Sequence, residues 1–99
     1  MTEKIRVVIK KVGKRPTEEY VENTLKSFQN IVGGNIEVFS VRNCLCICNE
    51  EGKINGLLPN FYYRGNNDVI MGDVCFVGAE GEDFASLSDA QVEFLMGIF

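Results

Sequence analysis

The sequence predicts an α+β domain with a mostly antiparallel sheet of four to five strands and two helices, in the order β-α-β-β-β-β-α. Two short segments, residues 44–48 and 74–77, are apolar on both alternating faces, which is typical of central strands covered on both sides. Two stretches with helical apolar spacing flank the strand-rich middle. The 99 residues, 45% hydrophobic and 24% charged, fit one domain over residues 1–99.

The first predicted element is a strand over residues 4–12. Ile5, Val7 and Ile9 alternate with mostly charged residues, which predicts one buried face and one largely exposed face, near a sheet edge. A basic group surrounds the end of this strand, and its members are Lys10, Lys11, Lys14 and Arg15. We interpret the group as solvated surface, with contact to phosphate or an acidic partner as the alternative.

A helix is predicted to follow, beginning near Pro16. Proline is accepted in a first helical turn, and the acidic pair Glu18 and Glu19 favours a helix N-terminus. The apolar stripe that would face the core consists of Val21, Leu25, Phe28 and Val32. Gly33 and Gly34 then end the helix.

A hairpin is predicted next, between a strand over residues 36–41 and the apolar run 44–48, with the tight connection at Arg42 and Asn43. Residues 49–53 supply a polar turn with a glycine. Residues 54–58 are predicted to return as a further strand, which Pro59 and Asn60 end.

The four cysteines are predicted to be buried and to serve only as small apolar side chains in the core. Cys44, Cys46 and Cys48 are two residues apart on one strand and therefore share a face, while Cys75 lies in another strand. Buried free cysteine behaves as a small hydrophobic residue. A zinc site is not predicted because C-x-x-C pairs and histidine are missing, and a disulfide framework is disfavoured without a secretory signal.

The C-terminal part is predicted to run from a loop into a strand and a final helix. Residues 60–68 are the longest irregular segment, residues 69–77 form a strand interrupted at Gly72 and Asp73, and residues 78–83 form an acidic loop. Ser86 or Ser88 caps the helix, and Ser88 with Gln91 fits a capping box. The helix has more apolar residues than one stripe needs, which indicates deep burial or a homodimer contact. That dimer surface would consist of Val92, Leu95, Met96 and Phe99.

Six short segments in a fixed order carry a resemblance to a known family. They are residues 32–37 (VGGNIE), 49–53 (NEEGK), 56–60 (GLLPN), 72–74 (GDV), 81–84 (GEDF) and 86–91 (SLSDAQ). The stretch from residue 32 to residue 94 resembles a family of small domains of unknown function that is common in bacteriophages, plasmids and integrative elements. The resemblance implies a mobile-element protein that works inside a bacterial cell, and it brings no established catalytic residues.

The composition disfavours an enzyme. Histidine, the commonest general base, does not occur, and the thiols are predicted to be buried. The carboxylate pairs Glu50–Glu51 and Glu82–Asp83 are adjacent residues in turns, where side chains often diverge. We therefore predict no catalytic residue, no metal site and no cofactor. The net charge of −4 also disfavours non-specific nucleic-acid binding.

Polar and aromatic side chains around the central hairpin are the predicted binding residues. They are Asn49, Lys53, Asn60, Tyr62, Tyr63 and Arg64. Tyrosine and arginine offer stacking faces and forked donors, the usual anchors of binding surfaces. The alternative is that the same residues cover a sheet edge.

From these observations we expect a small non-enzymatic binding protein of a phage or mobile element. It would act as an inhibitor in counter-defence, either by binding a host bacterial protein or by sequestering a small nucleotide signal between protomers. The alternative is an accessory or regulatory domain in mobile-element replication or transfer, with weak nucleic-acid contact through the basic group. No signal peptide or membrane span is predicted, so we expect a cytoplasmic location in the bacterial host cell.

Overall fold

The computed structural model describes residues 3–99; Met1 and Thr2, at the start of the segment in which we predict no signal peptide, lie outside it. The elements are β1 Lys4–Lys10, β2 Thr17–Glu22, α1 Leu25–Val32, β3 Ile36–Val41, β4 Cys44–Asn49, β5 Pro59–Tyr63, β6 Asp68–Met71, β7 Val74–Glu80, β8 Asp83–Ala85 and α2 Asp89–Ile98. Within residues 3–99, the antiparallel main sheet runs β2-β1-β7-β4-β3, with β8 paired to β7, and β5 and β6 form a separate hairpin. The α+β class is confirmed, and the main sheet has six strands among the described residues where the sequence predicts four to five.

The two doubly apolar strands lie in the middle of the sheet, as predicted. β7 pairs with both β1 and β4, and the side chains of Phe76 and Ile47 are fully buried. One face of the sheet packs against α1 through Phe28, and the other packs against α2 through Leu95. The side chain of Ile70 brings the β5–β6 hairpin onto the α2 face. Neither helix within residues 3–99 has the length and apolarity that crossing a bilayer requires.

The predicted strand over residues 4–12 is present as β1, but it is no nearer an edge than β4, and the prediction of a wet face is wrong. β1 lies between β2 and β7. Val8, on the face predicted to be exposed, is fully buried with the α2 layer, and Lys10 on the same face is buried as well. The reason is that both faces of the sheet are covered, so even a partly charged strand is enclosed.

The first half of the predicted first helix is wrong, because Thr17–Glu22 forms strand β2. Its residues pair with β1 in the register Lys4↔Glu22 to Ile9↔Thr17. Thr24 is the N-cap of α1, and its hydroxyl accepts a hydrogen bond from Ser27 N at 3.2 Å. Of the predicted stripe, α1 buries Phe28 and Val32, whereas Leu25 is exposed and Val21 lies in β2. The predicted end is confirmed, with Gly33 in the left-handed region at φ +81°.

The strand predicted over residues 54–58 is also wrong, because this segment folds into consecutive turns. Asn55 N donates to Glu51 O at 2.8 Å, and Leu57 N donates to Gly52 O at 2.9 Å. Gly56 is left-handed at φ +69°, which stops an extended strand at its middle. Residues 54–58 cannot pair with β4, because β3 and β7 already pair with its two edges.

Two segments predicted as loops contain strands. Most of residues 60–68 belongs to the β5–β6 hairpin, in which Tyr62 is opposite Val69 and Tyr63 is opposite Asp68. Residues 78–83 contain the end of β7 and the start of β8, joined by a tight turn with Gly81 at φ +63°. The interruption predicted at Gly72 and Asp73 is confirmed as the break between β6 and β7.

The capping box at the start of α2 is confirmed, with Ser88 as the N-cap. Ser88 Oγ accepts a hydrogen bond from Gln91 N at 3.1 Å, and Gln91 Oε1 accepts one from Ser88 N at 2.8 Å. The other candidate, Ser86, instead accepts a hydrogen bond from Arg6 N through its hydroxyl.

Replacing Ser88 with alanine is expected to lower the free energy of unfolding by about 1 kcal/mol, because one N-terminal amide of α2 loses its acceptor. Urea denaturation of the wild type and Ser88→Ala measures the difference. Glu93→Ala, an exposed change in the same helix, is the control and is expected to stay within about 0.5 kcal/mol of the wild type. Equal stabilities of Ser88→Ala and the wild type would contradict the capping role.

Candidate functional site: a cleft beside an open sheet edge

Asn49, a predicted binding residue, is buried and bonded within the fold. Its Nδ2 donates to Val32 O at 3.1 Å, and its Oδ1 accepts from Glu51 N at 2.8 Å. These two bonds join the end of α1 to the turn that follows β4. The polar atoms of Asn49 therefore hold neighbouring backbone, although the residue is also among those that line the cleft described below.

Asn60 connects three segments of the fold. Its Nδ2 donates to Lys10 O at 2.8 Å and to Gly72 O at 2.9 Å, and its Oδ1 accepts from Lys10 Nζ at 3.0 Å. Lys10 Nζ also donates to Lys11 O at 3.0 Å. The basic group thus loses Lys10 to the interior, and its members on the surface are Lys11, Lys14 and Arg15.

The other four predicted residues lie on or beside the β5–β6 hairpin. Tyr63 OH donates to Ser40 O at 3.1 Å, and its ring centroid is 5.4 Å from that of Phe39. Tyr62 is exposed, and its hydroxyl donates to Asn67 Oδ1. Arg64 is exposed in the hairpin turn, and Lys53 forms an ion pair with Asp68. The six residues do not converge on one site, because only Asn49 and Lys53 line the cleft.

A cleft of about 310 Å³ lies between the open end of the β3–β4 hairpin (opposite its turn), the turn after β4 and strand β6. Its apolar surface comes from Phe39, Cys48, Ile54, Val69, Ile70 and Met71. Its charged residues are the carboxylates Glu37, Glu50, Glu51 and Asp68 and the ammonium of Lys53. The ion pair with Lys53 lowers the pKa of Asp68. Four carboxylates against one ammonium make the cleft electronegative.

Strand β3 is an edge of the main sheet, and the phase of its ladder shows which backbone groups are open. Glu50 N donates to Asn35 O at 2.8 Å, so Asn35 and Glu50 form a hydrogen-bonded pair. Two residues further along the same register, Glu37 and Cys48 form the next hydrogen-bonded pair. Because bonded and non-bonded pairs alternate in an antiparallel ladder, the backbone groups of Ile36, Val38 and Ser40 point away from β4. The hydrogen bond from Tyr63 OH to Ser40 O agrees with this phase and closes one end of the edge.

The opposite edge, strand β2, is protected by charge. Asn23 N donates to Glu3 O at 2.9 Å, which extends the β1–β2 register and places the backbone groups of Glu18, Tyr20 and Glu22 at the open edge. Charged side chains on an edge strand oppose pairing with another chain. β3 carries one charge in the sequence IEVFSV, and Val38 at its middle is 39% exposed. β3 is thus the less protected edge of the sheet.

The thiols are not poised for chemistry. Burial raises the pKa of Cys48 to about 11, with a contribution from Glu37, and burial raises the pKa of Cys75 to about 12. The pKa of Cys46 is raised well above its ordinary value for the same reason. A protonated thiol is neither a nucleophile nor a good metal ligand. Within residues 3–99, no group of three or more metal-ligating side chains is close enough to hold an ion.

These raised pKa values predict a loss of stability in alkali. The Cys75 thiol ionises near 9.0 when exposed and near 12 in the folded chain, so unfolding releases a proton between those values. The contribution of the protonated Cys75 thiol to the free energy of unfolding is complete below pH 9 and is lost as the pH rises towards 12. At pH 10.5 the loss is about 2 kcal/mol. Urea denaturation at pH 8 and pH 10.5 measures the change. Cys75→Ala should reduce that pH-dependent change by about 2 kcal/mol, whatever its baseline stability; an unreduced change would contradict burial of the thiol.

Sequence reasoning missed the carboxylates of the cleft and the open edge. The sequence pattern places Glu37 in a strand and Asp68 at the end of a loop, and it presents Glu50 and Glu51 as an adjacent carboxylate pair whose side chains diverge. One signal was available, since a strand of six residues with one charge lacks the protection that an edge normally carries. The missing fact was the position of β3 at the edge, which only the topology supplies.

Comparison with protein families matches residues 5–99 to a domain of unknown function, DUF3846, and the chain belongs to that family. The match includes the first strand and the segment before residue 32, beyond the stretch that carries the resemblance in sequence. Comparisons with curated proteins and with solved structures found no match.

Proposed function

We propose that this DUF3846 domain is a non-enzymatic binding protein, and that its partner is another protein held at the cleft and the edge of β3. The observation that carries the proposal is an open, weakly charged edge strand beside a cleft that is partly lined by apolar residues. Edge strands are normally blocked in proteins that do not use them. Clefts with apolar surface and a few charged groups are the usual form of a binding site.

The same charges favour a protein partner over a nucleotide signal. The carboxylates of Glu37, Glu50 and Glu51 would repel phosphate groups, and the ammonium of Lys53 already pairs with Asp68. Tyr62 and Arg64, which could stack on a base, are not among the residues that line the cleft. A nucleotide held between protomers by Lys53, Arg64 and the tyrosines is therefore the weaker proposal.

The mobile-element resemblance supplies the context of the proposal. We infer that the partner is a protein of the bacterial host cytoplasm, such as a defence protein, and that binding inhibits it by occupying a surface. Nucleic-acid contact is disfavoured by the net charge of −4 and by the loss of Lys10 from the basic group. The proposal needs no catalytic step by this chain.

Two measurements test the proposal. Purified protein is heated with a panel of mono-, di- and cyclic nucleotides, and we expect shifts of the melting temperature below about 1 °C. A candidate host protein that co-purifies with the chain is then expressed separately, and isothermal titration should give binding at a fixed stoichiometry. A nucleotide that raises the melting temperature by several degrees, or turnover of any substrate by the purified chain, would contradict the proposal.

A further inference from the structure

We propose that β3 accepts an extended segment of the partner as an additional strand, and that this segment carries Lys or Arg at alternate positions. This inference rests on the proposed function and deepens it, because it specifies the chemistry of the bound segment. Strand addition to a sheet edge is a recurring mode of peptide recognition, in which backbone bonds supply affinity and alternate side chains supply specificity.

The backbone of β3 offers the required hydrogen bonds. The N–H and C=O groups of Ile36 and Val38 point to the open edge, so an added strand can form four backbone hydrogen bonds there. Tyr63 closes the Ser40 end of the edge through its hydroxyl. The open groups therefore lie at the end of β3 that contains Glu37.

The two faces of β3 dictate different side chains in the added strand. Residues opposite each other on neighbouring strands share a face, so residues opposite Glu37 and Phe39 would lie on the face that lines the cleft. There they would meet the carboxylates of Glu37, Glu50 and Glu51 next to the apolar ring of Phe39. Lys and Arg suit this combination, because their stems are apolar and their tips are cationic. Residues opposite Ile36 and Val38 lie on the other face, where apolar or β-branched side chains fit.

The charges also decide against a second copy of this chain as the occupant. Each copy has a net charge of −4, and a second β3 would bring only Glu37 as its charged residue to a cleft that is already electronegative. In the two-fold pairing centred on Glu37, the two carboxylates would be directly opposite, which is destabilising. A cationic segment of a different protein removes this conflict.

Fluorescence anisotropy with labelled peptides of about ten residues tests the inference. One peptide alternates Lys with Val or Thr, a second alternates Glu with the same residues, and a third has the composition of the first with its lysines in one block. We expect the alternating Lys peptide to bind at least about tenfold more tightly than the Glu peptide and several-fold more tightly than the block peptide. Equal binding of the first two peptides would overturn the inference.

Val38→Pro tests the backbone part, because it removes an N–H that points to the open edge and no bond to β4. We expect affinity for the alternating Lys peptide to fall by about tenfold or more, as one bond and the close approach of the strand are lost. Tyr20→Pro makes the matched change on the β2 edge, where Tyr20 N–H also points outward, and should leave the affinity unchanged. Unchanged binding by a folded Val38→Pro would overturn strand addition.

The double variant Glu37→Gln, Glu51→Gln tests the charge part and does not depend on the folding of Val38→Pro. We expect its affinity for the alternating Lys peptide to fall about three- to tenfold, with a smaller loss of binding between roughly 50 and 200 mM salt. Glu22→Gln on the β2 edge is the control.

A dimer of the wild type that Val38→Pro converts to monomer would assign the edge to a second copy instead. A reconstituted protein partner that binds Val38→Pro as well as the wild type would leave the proposed function in place and overturn only this inference.

Discussion

Replacing Asn60 with alanine is expected to lower the free energy of unfolding by about 3 kcal/mol, because three hydrogen bonds are lost at once. Two of them satisfy the carbonyls of Lys10 and Gly72, and the third solvates the ammonium of Lys10, which is buried. Leaving a charged donor without one of its partners is costly, since the group cannot regain the hydration that it has in the unfolded chain. Urea denaturation of wild type and variant at neutral pH measures the difference.

The matched control is Asn66→Ala, an exposed asparagine in the turn of the β5–β6 hairpin. It is expected to change stability by less than about 0.5 kcal/mol. If Asn60→Ala were as stable as Asn66→Ala but failed to bind the partner, Asn60 would be a binding residue, as the sequence pattern predicts. The structure places its side chain between the end of β1 and the break between β6 and β7, which favours the structural role.

Asn60 illustrates why the sequence could not separate the candidate site from the framework. A polar residue after a proline in an apolar context is equally consistent with a binding surface and with a buried bond network. The distinction depends on Lys10, which is 50 residues away in the chain and whose ammonium the asparagine solvates. Spacing within a segment carries no information about such a long-range partner, whereas the topology gives it at once.

The parts of the fold that were predicted correctly depend on local chemistry. The apolar runs around Ile47 and Phe76 indicate central strands, Gly33 indicates a helix end, and Ser88 with Gln91 indicates a helix start. The helix signals act through neighbours within a few positions in the chain, whereas the two strands pair with distant segments and only their apolar content is local. Burial on both faces then follows from apolar content alone.

The parts that were missed depend on what lies beside a segment in space. Thr17–Glu22 has an acidic pair after a proline, which favours a helix locally, yet its pairing with β1 makes it a strand. Tertiary pairing therefore outweighs a preference of a few tenths of a kcal/mol per residue. The apolar residues at 54–58 remained turns because both sides of β4 were occupied. The cleft follows from this outcome, since the turns form one of its walls.

Replacing Leu95 with alanine is expected to destabilise the folded chain by about 3–4 kcal/mol, because its side chain is fully buried in the core layer between α2 and the sheet. The variant loses apolar contacts and leaves a cavity in the core cluster that also contains Phe76. Sequence reasoning offered a different role, in which Leu95 belongs to a homodimer surface together with Val92, Met96 and Phe99. Urea denaturation at several protein concentrations measures the loss and shows whether it depends on association.

Met96→Ala is the matched control, since Met96 is the neighbouring member of that predicted surface and is 37% exposed. We expect it to cost less than about 1 kcal/mol. Val92 is buried. The ring centroid of Phe99 lies 4.8 Å from that of Phe61 and 5.4 Å from that of Phe76. Most of the residues of the predicted dimer surface therefore pack within their own chain. If Leu95→Ala instead kept its stability and dissociated a wild-type dimer, α2 would be an interface helix. Loss of stability that does not vary with protein concentration assigns Leu95 to the core of the chain and not to a dimer interface.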